Sequence, residues 1–134
     1  MAKLNEEVLS AFKDPNSTKI IATVDKNGVP NVTVKGSMSV LDDTTLVFAD
    51  VAGDNSRTTR NLKETKKVAV LVTKGITAFQ VKGSFKESDT FGPVFDQFAA
   101  ELKKAANIGI KAVDLITVEE VFSQNPLDMG KKLA

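Results

Sequence analysis

The chain has 134 residues, of which 42% are hydrophobic and 26% are charged, and its formal net charge is +1. This composition is typical of one globular domain, residues 1–134, that buries a hydrophobic core. The near-zero charge provides no general attraction to nucleic acid or to an anionic membrane. The first residues are charged and lack the apolar run of a signal peptide, which indicates a cytoplasmic protein.

The missing side chains exclude several kinds of chemistry. The sequence contains no His, Cys, Trp or Tyr, so all of its aromatic residues are Phe. Disulfides, thiolate nucleophiles, Ser-His-Asp triads and metal sites with His or Cys ligands are therefore excluded. We predict neither a metal site nor a catalytic side chain. The chain is either a binding protein or an enzyme whose difficult chemistry belongs to a cofactor.

Hydrophobic periodicity and turn residues divide the chain into helices and strands. The pair Asn27-Gly28 favours a tight hairpin turn, and Asp42-Asp43 marks a second turn. Pro15 ends the first helical segment. In chain order the pattern predicts a helix at residues 5–12, strands at 18–25, 30–41 and 45–50, a short helix at 57–65, strands at 66–72 and 76–85, a helix at 91–106 and a strand at 110–122.

This order predicts a mainly β protein. Six strands in hairpin-like succession, interrupted by helices, favour a six-stranded antiparallel sheet that closes into a barrel with helices over its openings. The helical spacing of Phe91, Phe95 and Phe98 indicates core positions rather than a stacking platform. Lys131 and Lys132 are interpreted as part of a solvated tail.

One segment has the features of an anion site. Ser56 is a good helix N-cap, and Arg57, Thr58 and Arg60 follow it. The start of a helix presents unpaired N–H groups and the positive end of the helix dipole, which phosphates occupy. An ordinary capped helix with solvated arginines explains the same pattern. Asn61 is either a helix-surface residue or a polar support for the loop.

Two further patterns are compatible with a ligand groove. Lys35, Ser37 and Ser39 alternate along the second strand, as groove residues or as the exposed face of a sheet would. Gly83 allows either the close approach of a ligand to the backbone or a β-bulge.

The region from Pro30 to Val72 resembles the flavin-binding split barrels related to pyridoxamine 5′-phosphate oxidase. In that family a P-x-V hairpin with D-D-x-x-L-x-F precedes a loop, a helix start of the form S-[RK]-[KT]-x-x-N-L and a strand of the form x-V-A-L-x-V. The matching residues here are Pro30, Asp42-Asp43, Leu46 to Asp50, Ser56-Arg57-Thr58, Asn61-Leu62 and Val68 to Val72.

The resemblance implies a split β-barrel homodimer that binds FMN in grooves at the subunit interface. Ser56, Arg57 and Thr58 would hold the flavin phosphate, with Asn61 supporting them. The residues expected beside the ribityl chain and ring are Lys35, Gly36, Ser37, Met38, Ser39, Ala49 and Asp50. The implied role is electron transfer or the oxidation or reduction of a small substrate, with a redox partner that the sequence does not identify.

The departures from the family narrow this expectation. Pyridoxamine phosphate oxidases proper have a substrate site with Arg and His and a basic, aromatic C-terminal segment, whereas this chain has no His and ends in GKKLA. That specific activity is not expected. The alternatives are a deazaflavin or haem in the same groove, or a non-catalytic oligonucleotide-binding barrel. Few aromatic residues and a low net charge disfavour the last of these, and we expect neither nucleic acid nor a membrane as partner.

Overall fold

A computed structural model describes residues 2–134 and shows a mainly β architecture. The strands and helices follow the predicted order. The elements are α1 (Glu6–Lys13), β1 (Thr18–Val24), β2 (Pro30–Val34), β3 (Ser39–Asp42), β4 (Thr45–Asp50), a 3₁₀ turn (Gly53–Asn55), α2 (Arg57–Thr65), β5 (Lys67–Lys74), β6 (Thr77–Asp89), α3 (Pro93–Ala106) and β7 (Ala112–Ser123).

The strands form one antiparallel sheet in the order β2-β1-β5-β6-β7-β4-β3. β2 and β3 lie at opposite ends of this order, although only residues 35–38 connect them. Four residues span a short distance, so the sheet has to curl until its two ends meet. The result is a barrel that is split between β2 and β3, which confirms the predicted fold.

The structure has seven strands rather than the six predicted, because the segment 30–41 divides in two. The N–H of Met38 donates to the carbonyl of Lys35 at 3.0 Å and closes a turn between β2 and β3. Gly36 in this turn has a low strand propensity, and the flanking Val residues have a high one. The break between the two strands therefore follows from the sequence Lys35-Gly36-Ser37, where the alternating β-branched residues stop.

The barrel interior contains the main hydrophobic core. Its largest fully buried side chains include Phe12, Phe48, Phe79, Ile21, Met38 and Leu46. At Gly83 the interior has no room for a side chain, because a Cβ there would lie 2.3 Å from the carbonyl oxygen of Thr117. The pairing of β6 with β7 also shifts register at this glycine. Of the two interpretations of Gly83, the structure supports the bulge.

The helix α3 covers a smaller apolar cluster on the opposite face of β4 and β7. Phe98 is 7% exposed and packs there with Val47 and Leu115. Phe95 is partly buried against the same cluster, as predicted, but Phe91 is 82% exposed. The prediction of a core position was wrong for Phe91, because α3 begins at Pro93 and the helical spacing does not extend back to it.

The carboxyl-terminal tail folds back along β7 through backbone hydrogen bonds, while the side chains of Lys131 and Lys132 are exposed to solvent, as predicted. The N–H of Leu133 donates to the carbonyl of Val121 at 2.7 Å, and the backbones of Lys132 and Phe122 form an isolated antiparallel β-bridge. β4 pairs only with residues 112–117 of β7. The rest of β7 thus has a free edge that the tail occupies, which satisfies backbone groups that would otherwise lack partners.

Among residues 2–134, no helix has the length and hydropathy that a bilayer span requires.

Candidate functional site

The first turn of α2 carries the residues that the sequence predicts to hold an anion. Ser56 has an extended backbone and its Oγ accepts a hydrogen bond of 3.4 Å from the N–H of Thr59. Helical geometry leaves the N–H groups of Arg57 and Thr58 without a carbonyl partner inside the helix. The side chain of Arg57 is exposed, and Ser56 is half-buried. The backbone donors, the Ser56 hydroxyl and the exposed Arg57 side chain thus belong to adjacent residues at the start of the helix.

Thr58 and Asn61 fasten α2 to the hairpin of β1 and β2. Thr58 is 2% exposed, and its Oγ1 accepts a hydrogen bond of 3.4 Å from Nδ2 of Asn31. Asn61 is 1% exposed and donates from Nδ2 to Oγ1 of Thr23 at 3.1 Å. These side chains are committed to protein contacts. They fix the position of α2 relative to the hairpin, and the backbone N–H of Thr58 has no carbonyl partner inside the helix.

Asp50 holds the loop between β4 and α2 in place. Its Oδ1 accepts from the N–H of Gly53 at 2.8 Å, and its Oδ2 accepts from Oγ1 of Thr59 at 2.9 Å. Only 3% of Asp50 is exposed. The carboxylate thus shapes the loop that leads into α2 instead of facing solvent.

The predicted residues 35–39 form the turn between β2 and β3. The ammonium of Lys35 lies 5.2 Å from the centre of the Phe48 ring, and Oγ of Ser37 accepts from the N–H of Ala49 at 3.0 Å. Met38 packs in the main core, so its side chain is not available to a ligand. Residues 36–41 line a cavity of about 420 Å³ together with Lys19, Val47 and the α3 residues Val94, Gln97, Phe98, Glu101 and Leu102.

The structure joins these two groups of residues through the end of β4. Ser37 bonds to Ala49, and the adjacent Asp50 bonds to the loop and to Thr59. The cavity beside the turn is lined by residues 36–41 and α3, and the start of α2 does not reach it. In a single chain, the predicted ring-binding and phosphate-binding segments are therefore linked through β4, but they do not line the same pocket.

The sequence reasoning missed Asp114, which lies in the barrel interior beside Asp50. Asp114 is fully buried, Oγ of Ser88 donates to its Oδ1, and its Oδ2 has no hydrogen-bond partner among residues 2–134. Burial is the main cause that raises the pKa of Asp114 to about 7, with a further contribution from the charge of Asp50. The signal in the sequence is an acid in the middle of the apolar strand 112–118.

A second missed feature is the outer face of the sheet at β2, β1 and β5. Strand pairing places Val32 opposite Ala22, and Val34 opposite Ile20. Ile20 in turn lies opposite Leu71 of β5. Val32 is 66% exposed and Val34 is 62% exposed. The outer face of the sheet therefore presents exposed apolar side chains on β2 next to partly buried ones on β1 and β5.

Comparison with known proteins gives a family match over nearly the whole chain. Residues 4–125 match the family model described as pyridoxamine 5′-phosphate oxidase.

Three solved structures are similar over most of their length. A candidate pyridoxamine 5′-phosphate oxidase from Lactobacillus delbrueckii is 31% identical, with a TM-score of 0.70 over 90% of this chain and 93% of that one. HupZ from Group A Streptococcus is 22% identical, with a TM-score of 0.81 over 98% and 99% of the two chains. An FMN-binding protein from Syntrophomonas wolfei is 20% identical, with a TM-score of 0.71 over 86% and 80%.

Proposed function

Because the chain belongs to the pyridoxamine 5′-phosphate oxidase family, we propose that it is an FMN-binding protein that acts as a homodimer in electron transfer or in the redox conversion of a small substrate. The family membership confirms the resemblance found in residues 30–72. The observation that carries the proposal is the open start of α2, where Arg57 and free helical N–H groups stand beside the fastened loop at Asp50.

The phosphate of FMN fits this end of α2 by charge and by donor geometry. Phosphate is an acceptor, and the exposed groups at residues 56–58 are donors: a hydroxyl, a guanidinium and backbone N–H groups. The loop is held by the hydrogen bond from Gly53 to Asp50, and α2 is held by buried hydrogen bonds from Thr59 to Asp50 and from Asn61 to Thr23. These donors are therefore in place before a ligand arrives. The proposed binding therefore needs little ordering of the chain.

The flavin ring is proposed to lie towards the turn at residues 35–39. This turn bonds directly to the strand that ends at Asp50, so it stands at a fixed position relative to the start of α2. Its exposed backbone at Gly36 and hydroxyls at Ser37 and Ser39 offer polar contacts of the kind that orient a ring.

A second copy of the chain is proposed to complete the groove. The outer face of β2, β1 and β5 exposes Val32 and Val34 next to half-buried Ile20, Ala22 and Leu71. An exposed apolar face of this type supports the proposal of a two-fold dimer. β2 carries both this face and Asn31, which contacts α2, so the partner would stand close to the proposed phosphate site.

Bound FMN would supply redox chemistry that the side chains of this protein lack. The chain contributes recognition of the phosphate, a fixed loop and an apolar wall. It has no His or Cys to act as an acid, a base or a nucleophile near neutral pH.

The experiment is a titration of purified protein with FMN and with riboflavin, followed by visible absorption. Arg57→Ala should weaken FMN binding by one to two decades, since a charge-assisted hydrogen bond is worth roughly 1.5–3 kcal/mol. Riboflavin has no phosphate, so its affinity should change little. Lys104→Ala, which removes the same charge from an exposed position on α3, serves as the control.

The same titration separates the alternatives. Equal losses for FMN and riboflavin would place the phosphate elsewhere. Tight binding of a deazaflavin or of haem in preference to FMN would reassign the groove, although haem would have no His, Cys or Tyr ligand in this chain. A colourless protein that retains oligonucleotide instead would identify a non-catalytic binding module.

A further inference from the structure

The barrel interior holds two buried carboxyl groups at the end that α2 covers. Asp114 on β7 pairs with Phe48 of β4 and with Ser88 of β6, and Asp50 follows Phe48 by two residues on the same face of β4. Asp114 is fully buried and Asp50 is 3% exposed. Buried acids are uncommon unless they are paired, and each needs a physical explanation.

The hydrogen bonds of these two groups are unequal. Both oxygens of Asp50 accept hydrogen bonds, from the N–H of Gly53 at 2.8 Å and from Oγ1 of Thr59 at 2.9 Å. Asp114 accepts one hydrogen bond, from Ser88, and its Oδ2 is left without a donor among residues 2–134. An ionised carboxylate with an unsolvated oxygen is costly in a hydrophobic interior.

The surrounding charges do not neutralise two ionised carboxylates. The charged groups that act on Asp114 are Asp50 from β4, Lys35 from the turn after β2 and Lys63 from α2. Lys35 lies over the Phe48 ring, and Lys63 forms an exposed ion pair of 2.8 Å with Asp54. Two carboxylates that lie close together in a buried site cannot both ionise without strong repulsion.

A proton on Oδ2 of Asp114 removes both the cost of an unsolvated carboxylate oxygen and the repulsion between two ionised carboxylates. The protonated oxygen becomes a donor, and the neighbouring carboxylate of Asp50 is the acceptor next to it. The pair then carries one negative charge instead of two. Asp50 keeps the hydrogen bonds that it accepts from Gly53 and Thr59. An ionised Asp50 has enough lone pairs to accept from these two donors and from the protonated Asp114.

We infer that Asp50 and Asp114 share one proton at mildly acidic pH, and that this acid pair is a positioning device that holds loop 51–55 and the first turn of α2. Loss of the proton at higher pH places two negative charges in the barrel interior. The repulsion acts on Asp50, the residue that fastens the loop, so the loop and the start of α2 loosen. The consequence for a bound phosphate rests on the proposed function, whereas the shared proton does not.

The first experiment looks for the proton directly in ligand-free protein. Infrared spectra at pH 6 in wild type should show the C=O stretch of a protonated carboxyl group, because ordinary Asp and Glu are ionised there. Asp114→Asn should remove this band, and Glu119→Gln, at an exposed position of the same strand, should leave it. A wild-type spectrum without the band would overturn the inference.

The second experiment measures urea unfolding between pH 5 and pH 8. A carboxyl group whose pKa rises from 3.8 when unfolded to about 7 when folded binds its proton more tightly in the folded state. Stability is therefore greater at pH 5 and falls as the pH rises towards and through 7. The unfolding midpoint of wild type and Glu119→Gln should fall over this range.

Asp114→Asn should flatten this dependence, because the Asn amide donates permanently to Asp50 and its oxygen still accepts from Ser88. The chain has no His, so no side chain with an ordinary pKa contributes a competing transition in this range. Asp50→Asn should flatten it too, since an amide in place of Asp50 can donate to an ionised Asp114. A dependence that persists unchanged in both variants would overturn the shared proton.

The positioning role is tested by amide hydrogen exchange at pH 8. Residues 51–59 should exchange faster in wild type than in Asp114→Asn at the same pH, while β1 and β5 should exchange equally in both. Equal exchange at residues 51–59 would refute the positioning role. In parallel, the Kd for FMN should increase several-fold from pH 7 to pH 8.5 in wild type and stay level in Asp114→Asn. Absence of FMN binding at every pH would contradict only the proposed function.

Discussion

The interior of the barrel and the outer face of β2, β1 and β5 both carry aliphatic side chains, but those of the interior are buried and those at β2 on the outer face are exposed. Ile21 on β1 and Val70 on β5 point inwards and are no more than 1% exposed. Val32 and Val34 on β2 point outwards and are more than half exposed. Alternation along a strand separates the two sets. The chain packs its interior by itself, whereas its outer face is suited to contact with a second body.

This difference has an energetic consequence. Complete burial of a Val or Leu side chain contributes roughly 1.5–3 kcal/mol. The interior residues contribute this free energy to folding, whereas Val32 and Val34 would contribute it only on burial in the proposed dimer. Substitutions inside should therefore reduce the stability of the fold, and substitutions outside should change assembly. The predictions below separate these effects, from the largest to the smallest.

The largest loss of stability is expected for Phe48→Ala. Phe48 is fully buried, and its removal leaves a cavity that costs roughly 3–5 kcal/mol of unfolding free energy. Phe91→Ala removes the same side chain from a position that is 82% exposed and should cost less than about 0.5 kcal/mol. Urea unfolding of both variants measures the contrast. A similar cost for the two would remove the distinction between the interior and the outside.

A loss of about 1–3 kcal/mol is expected for Gly83→Ala. The added Cβ would lie 2.3 Å from the Thr117 carbonyl oxygen, so β6 and β7 have to separate at the bulge. Gly109→Ala adds the same methyl group where no atom lies within 4 Å, and it should be nearly neutral. The two melting temperatures are compared. If Gly83→Ala unfolds no earlier than the control, the close packing at the bulge does not matter to stability.

Val34→Asp should change assembly with little effect on the fold. In a two-fold dimer each substitution occurs twice at the interface, so two carboxylates would be placed on the apolar face. Sedimentation should show a dimer for wild type and a monomer with unchanged circular dichroism for the variant. Ile76→Asp, in an exposed turn between β5 and β6, is the control and should stay dimeric. A wild-type monomer would refute the proposed interface.

The sequence predicted the parts of the fold that depend on local pattern. Strand alternation, the Asn27-Gly28 turn and the helical spacing around Phe98 are local, and the structure confirms each of them. The tail was not predictable in this way, because its place depends on β4 being shorter than β7. The length of one strand creates the free edge that a distant segment fills.

The site was predictable to a similar extent. The capped helix at Ser56 and the resemblance around it follow from adjacent residues, and the structure shows the N-cap. The closeness of Asp50 to Asp114 depends on the register of β4 with β7, which places Phe48 opposite Asp114 and brings together residues far apart in the chain. A single acid in an apolar run signals an anomaly but does not identify its neighbour. The outer face required knowledge of which strands are adjacent.

The smallest effect is spectroscopic and reports where a bound flavin lies relative to β2 and the turn that follows it. Tyr and Trp donate an electron to an excited flavin and quench its emission, and this chain has neither. Bound FMN should therefore fluoresce more than in relatives with a Trp or Tyr against the ring. Ser37→Tyr and Val34→Trp should shorten the emission lifetime, while Ile76→Trp should leave it unchanged, each measured at full occupancy. Ultrafast quenching in the wild-type protein would show that another donor operates, and unchanged lifetimes in both test variants would place the flavin away from β2 and its following turn.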